Sequence, residues 1–391
     1  MIHFWQVVLP YLEVLLGVTT ASYALGVFWF VSGMRRRSYV QTNERPLVSV
    51  VVAVRNEVEN IEYLLADLCA QTYPLDVYEI IVVDDGSEDG TPDRVRARLG
   101  GKVSIRLIET KDVCATTGAK KVALTLGIEE ARGQIILTTD GDCRVKSTWV
   151  QGMVDCFEED VGMVVGFSQI GHPGQVQGIR AGWEAIDFLA LMGCAFGGIG
   201  HGHPISASGQ NLAYRKEAFS QVGGYERVKG RASGDDVLLL QLVRRLTQWR
   251  VATAPVELTA TVHPFTPSWR AFLHQRVRWA SNAPYQIHLD SLLFAYMLCA
   301  FIMEVLLVLT PLLIWAGGMR WDWAGICWSG KILAEGAIMW RSGIYFRRLD
   351  LLRFFPLWTL LHPFAVVLFG AGGCLGEFEW KGEGHRWGKK R

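Results

Sequence analysis

An α/β fold with a mostly parallel sheet, set between apolar helices at both ends, is what this 391-residue sequence predicts. Three observations predict it. Short β-branched runs alternate with helical spacings between residues 47 and 139, the pattern of βαβ units. Two acidic motifs, Asp84-Asp85-Gly86 and Asp140-Gly141-Asp142, stand at the ends of such runs, where open parallel sheets bind ligands. Apolar blocks long enough to enter a bilayer lie before and after this region.

The first block, residues 4–32, carries one acidic residue, Glu13, and ends at Arg35-Arg36-Arg37. A cleaved leader has its basic residues before the apolar core. Here they follow it, which predicts a retained anchor over residues 1–37. The positive-inside rule then puts the N-terminus outside and residue 38 onward in the cytoplasm, at a bacterial inner membrane.

Leu47–Val54 is a continuous apolar run after Pro46, the mark of a buried parallel strand. Residues 57–70 place Ile61, Leu64, Leu65 and Leu68 on one helical face. A second strand, Tyr78–Val83, runs into Asp84. A helix near Pro92–Leu99 has its proline in the first turn. Val103–Ile108 is a third strand, Lys120–Ala131 a helix, and Gln134–Thr139 a fourth strand running into Asp140. Such alternation puts helices on both faces of the sheet. The amphipathic stretch Gly182–Met192 reads as a core helix or as an interfacial one. Gly197–Gly202, with His201 and His203, reads as a loop.

Three apolar blocks follow, Leu289–Gly318, Trp323–Trp340 and Phe354–Leu375. The middle one carries Lys331 and Glu335 one turn apart. It either crosses with the pair neutralising itself or lies flat in the interface. If all three cross, the basic tail ends outside, against the positive-inside tendency. If the middle one lies flat, the tail is inside but Arg347-Arg348 is outside. The expected organisation is an anchor over 1–37, a cytoplasmic α/β domain over 38–285, a membrane region over 286–380 and a basic tail over 381–391.

Charge is balanced, with 39 basic and 38 acidic residues, so no nucleic-acid partner is expected. The 8 cysteines are scattered without a CxxC pair, which predicts free thiols rather than a zinc site or a disulfide framework.

Four motifs carry chemistry, each with a plainer alternative. Asp84-Asp85-Gly86 fits a polar turn, but at a strand end it can accept hydrogen bonds from a nucleobase or ribose. Asp140 and Asp142, one residue apart, can each offer oxygen to Mg²⁺ or Mn²⁺. Gly234-Asp235-Asp236 precedes an apolar helix; an acid there caps the helix or, as a general base, deprotonates an acceptor hydroxyl. Asp236 is the favoured base, with Asp235 orienting it. Gln275-Arg276-Val277-Arg278-Trp279 is either an interfacial belt or a wall in which Arg278 offsets a leaving diphosphate and Trp279 stacks on a sugar.

Taken in order, these motifs resemble those of the membrane-bound, inverting family-two glycosyltransferases, the group of cellulose, chitin and hyaluronan synthases and ceramide glucosyltransferases. The resemblance rests on the strand-end Asp, the DxD, the GDD and the QxxRW motif. It also rests on Val48–Glu57, Lys120–Leu124 and Ser208–Arg215, and spans roughly residues 46–285. It implies a GT-A-like fold. It further implies that Ala53, Arg55 and Glu57 border the nucleotide base and that Asp84 and Asp85 contact uracil and ribose. Lys120 or Lys121 would contact the nucleotide, and Asp140 the ribose or diphosphate. Asp142 would hold Mg²⁺ or Mn²⁺ together with Asp140, and Asp236 would act as base. Gln275, Arg278 and Trp279 would line the acceptor and diphosphate. The DxD is followed by Cys143, and the base motif reads SGDD rather than TED, so acceptor preference is not transferable from a subgroup.

The expected activity is inverting transfer of a sugar, from a UDP donor, to a hydroxyl on a membrane-associated lipid, lipid-linked or glycan acceptor. About four candidate crossings favour a lipid over a secreted polymer. The rivals are a processive polysaccharide synthase, a non-catalytic binding module with the same fold, and a nucleotidyltransferase, which leaves QxxRW unexplained.

Overall fold

The computed structural model describes residues 2–35, 44–110, 119–231, 233–315, 318–375, 377–380, 383–386 and 389–390. Arg36 and Arg37 of the basic cluster, Cys114 and parts of the tail lie outside them. The chain forms two compact units. A helical unit comprises Met1–Met34, Val176–Gly197 and Thr266–Trp387, and an α/β unit comprises Arg35–Gln175, Gly198–Phe265 and Gly388–Arg391. The segment Gln275–Trp279 thus falls in the helical unit rather than the α/β one.

In chain order the elements open with α1 (Ile2–Gly33), β1 (Val48–Val54), α2 (Ile61–Cys69), β2 (Tyr78–Asp84), α3 (Thr91–Arg96), β3 (Ser104–Glu109), α4 (Ala119–Glu130) and β4 (Ile135–Thr138). Next come α5 (Trp149–Val154), β5 (Val161–Val165), β6 (Ser168–Ile170), α6 (Ile179–Gly200), β7 (Leu212–Arg215), α7 (Lys216–Gln221), α8 (Val237–Leu246), β8 (Arg250–Thr253), α9 (Val256–Thr259) and β9 (Thr261–His263). The chain ends in α10 (Trp269–Ala280), α11 (Gln286–Leu289), α12 (Ser291–Trp315), α13 (Trp321–Tyr345), α14 (Phe355–Leu375), β10 (Glu377–Trp380) and β11 (Glu383–Arg386).

The α/β unit is built on a seven-stranded sheet in the order β3-β2-β1-β4-β7-β5-β8. Every pairing is parallel except those of β7, which runs antiparallel to β4 and β5. The four strands expected from the sequence are all present. Val48, Val50, Val51 and Val52 of β1 and Ile80, Ile81, Val82 and Val83 of β2 are fully buried. Each such side chain contributes about 1.5–3 kcal/mol of hydrophobic stabilisation. The buried stripe of α2 is Ile61, Leu64, Leu65 and Leu68, as its spacing requires. Asn211 ties the sheet's far half together from full burial. Its Oδ1 accepts from Trp149 Nε1 at 2.8 Å, and its Nδ2 donates to Phe167 O and Thr259 O. The seven cysteines among the described residues are all free.

In the helical unit, α1 and α13 run parallel. Glu13 meets Arg320 and Trp323 at one end, Tyr23 meets Glu335 midway, and Met34 meets Arg341 and Ser342 at the other. Helix α12 runs opposite to them: Tyr296, near its start, packs on Tyr23 and Phe30, and Met319, just past its end, joins Leu9 in one apolar cluster. Val8–Gly33, Ile179–Gly200, Ser291–Trp315 and Leu349–Cys374 are long and apolar enough to cross a membrane. The charges of α13 are turned inward. Lys331 and Glu335 are fully buried and 2.6 Å apart, with Glu304 of α12 and His362 of α14 beside them.

Helix α6 continues through Gly200, so the expected loop over Gly197–Gly202 is helical for most of its length. Glycine in a helix costs about 1 kcal/mol of propensity, and tight packing overrides it here. Gly193 lies against Ser342 and Ile338, and Gly197 against the backbone of Phe30.

Candidate active site

Three strand ends converge in the α/β unit. Register aligns Val54 of β1 with Asp84 of β2, and Asp85 N donates to Val54 O at 2.8 Å. This sets Arg55 and Glu57 beside Asp84 and Asp85 at the carboxyl edge. Ala53 lies within β1 itself. Asp84 Oδ2 accepts from Ser87 N at 2.9 Å, whereas its buried Oδ1 has no partner. A buried acceptor of that kind calls for a donor group from a ligand or a water. Past β4, Gly141 packs against Val54 and Glu57, which brings Asp140 and Asp142 to the same edge.

Lys120, on the first turn of α4, joins the two acidic motifs. Its Nζ is 2.8 Å from Asp140 Oδ1 and 2.9 Å from Asp235 Oδ2. Burial pulls the Lys120 pKa down, but Asp140 and Asp235 outweigh it and hold the ammonium well above its ordinary range. Lys121 points elsewhere. Its buried Nζ donates to Arg231 O at 2.6 Å and Ser233 O at 2.9 Å, so it grips the segment leading into the GDD motif.

Gly234 takes φ +87°, a left-handed turn open to glycine. Asp235 and Asp236 follow at the start of α8. Asp236 is the helix N-cap: its Oδ1 accepts from Val237 N at 2.7 Å and its Oδ2 from Gly209 N at 2.8 Å. The two neighbouring acids are driven apart in pKa. Burial raises the Asp235 value, but Lys120 and then Lys121 more than reverse it. Burial, followed by the charge of Asp235, raises the Asp236 value above its ordinary one. Gly209 sits in the middle of this arrangement. A Cβ there would stand 3.0 Å from Asp235 Oδ2 and 3.5 Å from Lys120 Nζ.

His263, at the end of β9, was not among the residues expected from the sequence. A bridge between Arg144 and Val262 carries it next to the DxD, with Nε2 at 3.2 Å from Asp142 Oδ2. Ligand atoms of Asp140, Asp142 and Cys143 lie within 4.8 Å of one another. Burial and then the two acids push the Cys143 thiol well up, so it remains a neutral thiol. The two carboxylates suit Mn²⁺ or Mg²⁺, which prefer oxygen donors. Asp140 and Asp142 fit such an ion, and His263 lies beside Asp142.

In the helical unit, α10 carries Gln275, Arg278 and Trp279. Ser268 Oγ caps it by accepting from Ala271 N at 3.1 Å. The residue between, Arg276, is the buried one. Its Nη2 is 2.9 Å from Asp187 Oδ2 on α6, and its guanidinium lies 4.3 Å from the Trp279 ring centroid and 4.8 Å from that of Phe272. Arg276 therefore holds Trp279 in place against Phe188, whose ring is 6.1 Å away.

A mostly parallel sheet with acids at its carboxyl edge is a GT-A-like arrangement. Residues 49–223 match the family model of Glycosyl transferase family 2. It is similar to the beta-monoglucosyldiacylglycerol synthase of Trichormus variabilis, 30% identical over 71% of this chain and 57% of that protein. It is also similar to the glucosyl-dolichyl phosphate glucuronosyltransferase of Haloferax volcanii, 28% identical over 47% of this chain and 57% of that protein. The chain thus spans a little over half the length of these curated relatives. Among solved structures, the mannosyltransferase PcManGT from Pyrobaculum calidifontis, in complex with GDP-Man and Mn2+, has TM-score 0.61 and 20% identity. That likeness covers 93% of this chain and 98% of that one, and it shows the fold.

Proposed function

We propose that this protein is an inverting membrane glycosyltransferase. It moves a sugar from a nucleotide-diphosphate donor, UDP-linked in the first instance, to a hydroxyl of a lipid or lipid-linked acceptor. The observation that carries this reading is the Lys120 bridge. One ammonium ties the DxD acid Asp140 to Asp235, and so brings the donor-binding edge and the base motif into one site.

In this scheme Asp84 and Asp85 take the nucleobase and ribose, with Ala53, Arg55 and Glu57 around them. Asp142 and Asp140, with His263 beside Asp142, would hold Mn²⁺ or Mg²⁺, which when bound offsets charge on the departing diphosphate. Asp236 accepts the proton of the attacking hydroxyl. The acceptor oxygen bonds to the anomeric carbon as the bond to the diphosphate breaks, with inversion. Burial keeps Asp236 basic, and its two backbone hydrogen bonds fix its direction. Arg278, Gln275 and Trp279 serve the acceptor and diphosphate. The relatives' names support a lipid or lipid-linked acceptor, and the apolar helices support a membrane location.

The test is turnover by the detergent-purified protein with a panel of nucleotide sugars and Mn²⁺ or Mg²⁺, with lipid and polymer products extracted separately. Labelled sugar in a discrete lipid band supports the proposal. A high-mass ladder would make the protein a polysaccharide synthase instead. No turnover and no metal-dependent nucleotide binding would leave a binding module with a transferase fold.

A further inference from the structure

We propose that α14 does not cross the bilayer. It lies within one leaflet, on the side where α1 ends, and its exposed face docks against the acyl chains of that leaflet. Length and composition make α14 a candidate span, but its neighbours contradict a crossing.

The depth scale comes from the three helices that run alongside one another. Glu304 and Glu335 sit near the midpoints of α12 and α13. The start of α12 and the ends of α1 and α13 mark one side, and Glu13, Arg320 and Trp323 mark the other. Helix α14 begins beside the first side. Phe354 packs on Gly182, and Trp358 Nε1 lies 3.3 Å from Asp187 Oδ1, both on α6. Leu349, in the segment just before α14, packs on Gly343 near the end of α13, and Phe355 packs on Gly336, still on that side of Glu335. At its middle, His362 reaches Glu304 and Glu335, which is midway and no further. Its second half then returns. Phe369 packs on Phe272 of α10 at 5.9 Å, Gly372 on Val277 and Gly373 on Ala280. Strand β10, just beyond α14, again lies beside α10. Both ends of α14 are therefore on the side where α11 leads into α12.

The free face has the matching chemistry. Leu357, Leu360, Leu361, Phe364 and Leu368 form one exposed stripe, and no Asp, Glu, Lys or Arg occurs between Phe355 and Leu375. A stripe of that kind is stable against hydrocarbon and not against water. Charge gives an independent argument. With α1, α12 and α13 crossing and α14 in one leaflet, Arg35, Arg347, Arg353 and Arg386 share one side, where Arg348 is paired with Asp350 at 3.0 Å. The loop at the other side holds Arg320, paired with Asp322 at 2.6 Å. Lys and Arg concentrate in this way on the cytoplasmic side. If α14 crossed, the tail would be placed against that bias.

The consequence is a platform. Helix α10, which carries Gln275, Arg278 and Trp279, is held by α14 from within the leaflet, so a lipid-borne acceptor reaches α10 from that same leaflet. This rests on the membrane part of the proposed function and not on its chemistry.

The experiment is accessibility to a membrane-impermeant maleimide in intact and permeabilised bacterial cells. Full-length single-cysteine forms would carry Cys69 alone, Arg320→Cys, Leu349→Cys or Arg386→Cys. The expected result is that positions 349 and 386 behave as Cys69 does, and position 320 behaves oppositely. If position 386 behaves as position 320 does while 349 follows Cys69, α14 crosses and the proposal falls. If position 320 follows Cys69, α12 and α13 do not cross, and it falls as well. Should replacing the native cysteines unfold the protein, fluorescent-protein and alkaline-phosphatase fusions after Arg391 of the native sequence read the same side. Fluorescence without phosphatase activity supports the proposal, and the reverse overturns it. Extraction of the protein by alkaline carbonate would show a different failure, that of the membrane reading itself.

Discussion

Both carboxylate oxygens of Asp236 accept backbone N–H groups, and burial beside Asp235 still raises its pKa. A base is competent only when ionised, so the acid limb of the pH–rate profile should lie higher than an ordinary aspartate would place it. Lys120 acts on both acids. Lys120→Met removes the charge that favours their ionised forms, so the limb should move to higher pH and the rate should fall. A limb that does not move, in a series of initial rates against pH, would contradict the pairing. His263 makes a second prediction: His263→Ala should raise the Mn²⁺ concentration needed for half-maximal donor binding, measured by calorimetry at fixed nucleotide. The strand-end acids were readable from the sequence because the side chains flank apolar runs in one chain segment. His263 was not. A lone histidine carries no spacing signal, and only the bridge between Arg144 and Val262 brings it to Asp142. Lys120 and Lys121 are adjacent in sequence, and only the direction of each side chain separates the bridge from the loop clamp.

At the scale of elements, α4 and β7 do the positioning. Helix α4 presents Lys120 to the site and buries Lys121 under the GDD segment, while β7 begins after Asn211. Asn211→Ala would strand a Trp149 N–H and the carbonyl of Thr259 in the core, while Phe167 O keeps the N–H of Thr261. At about 1–3 kcal/mol for each buried group left unpaired, the thermal midpoint should drop by several degrees. An unchanged midpoint would mean that water replaces the amide. Strands β1 to β4 were legible because buried parallel strands read as unbroken β-branched runs. The five strands from β5 to β9 were not, since each has three to five residues. Their order follows long-range pairing, including the antiparallel insertion of β7. The glycines of α6 misled in the opposite direction. They suggest a loop in sequence and provide close helix packing in the fold.

For the molecule as a whole, the sequence marks the apolar blocks but not how they are arranged. Lys331 and Glu335 read as a reason to doubt that α13 crosses. In the bundle both are turned inward, with Tyr23, Glu304, Thr359 and His362 around them. Removing one member of a buried ion pair costs about 3–5 kcal/mol, because the other is left uncompensated. Lys331→Met should therefore lower the unfolding temperature in detergent sharply. The double variant Lys331→Met/Glu335→Gln should recover part of that loss. A double variant as unstable as the sum of the singles would show that the pair is not coupled.

The central claim is that one site binds the donor and that Asp236 then takes the acceptor's proton. Asp236→Asn keeps the volume and, through its one amide oxygen, the cap on Val237 N, while removing the base and the bond from Gly209 N. Metal-dependent donor binding and the rate of sugar transfer should be measured on the same preparation of wild type and variant. The account predicts donor affinity within a few-fold of wild type and transfer slower by about 10²–10⁴-fold. Transfer at near the wild-type rate would contradict it.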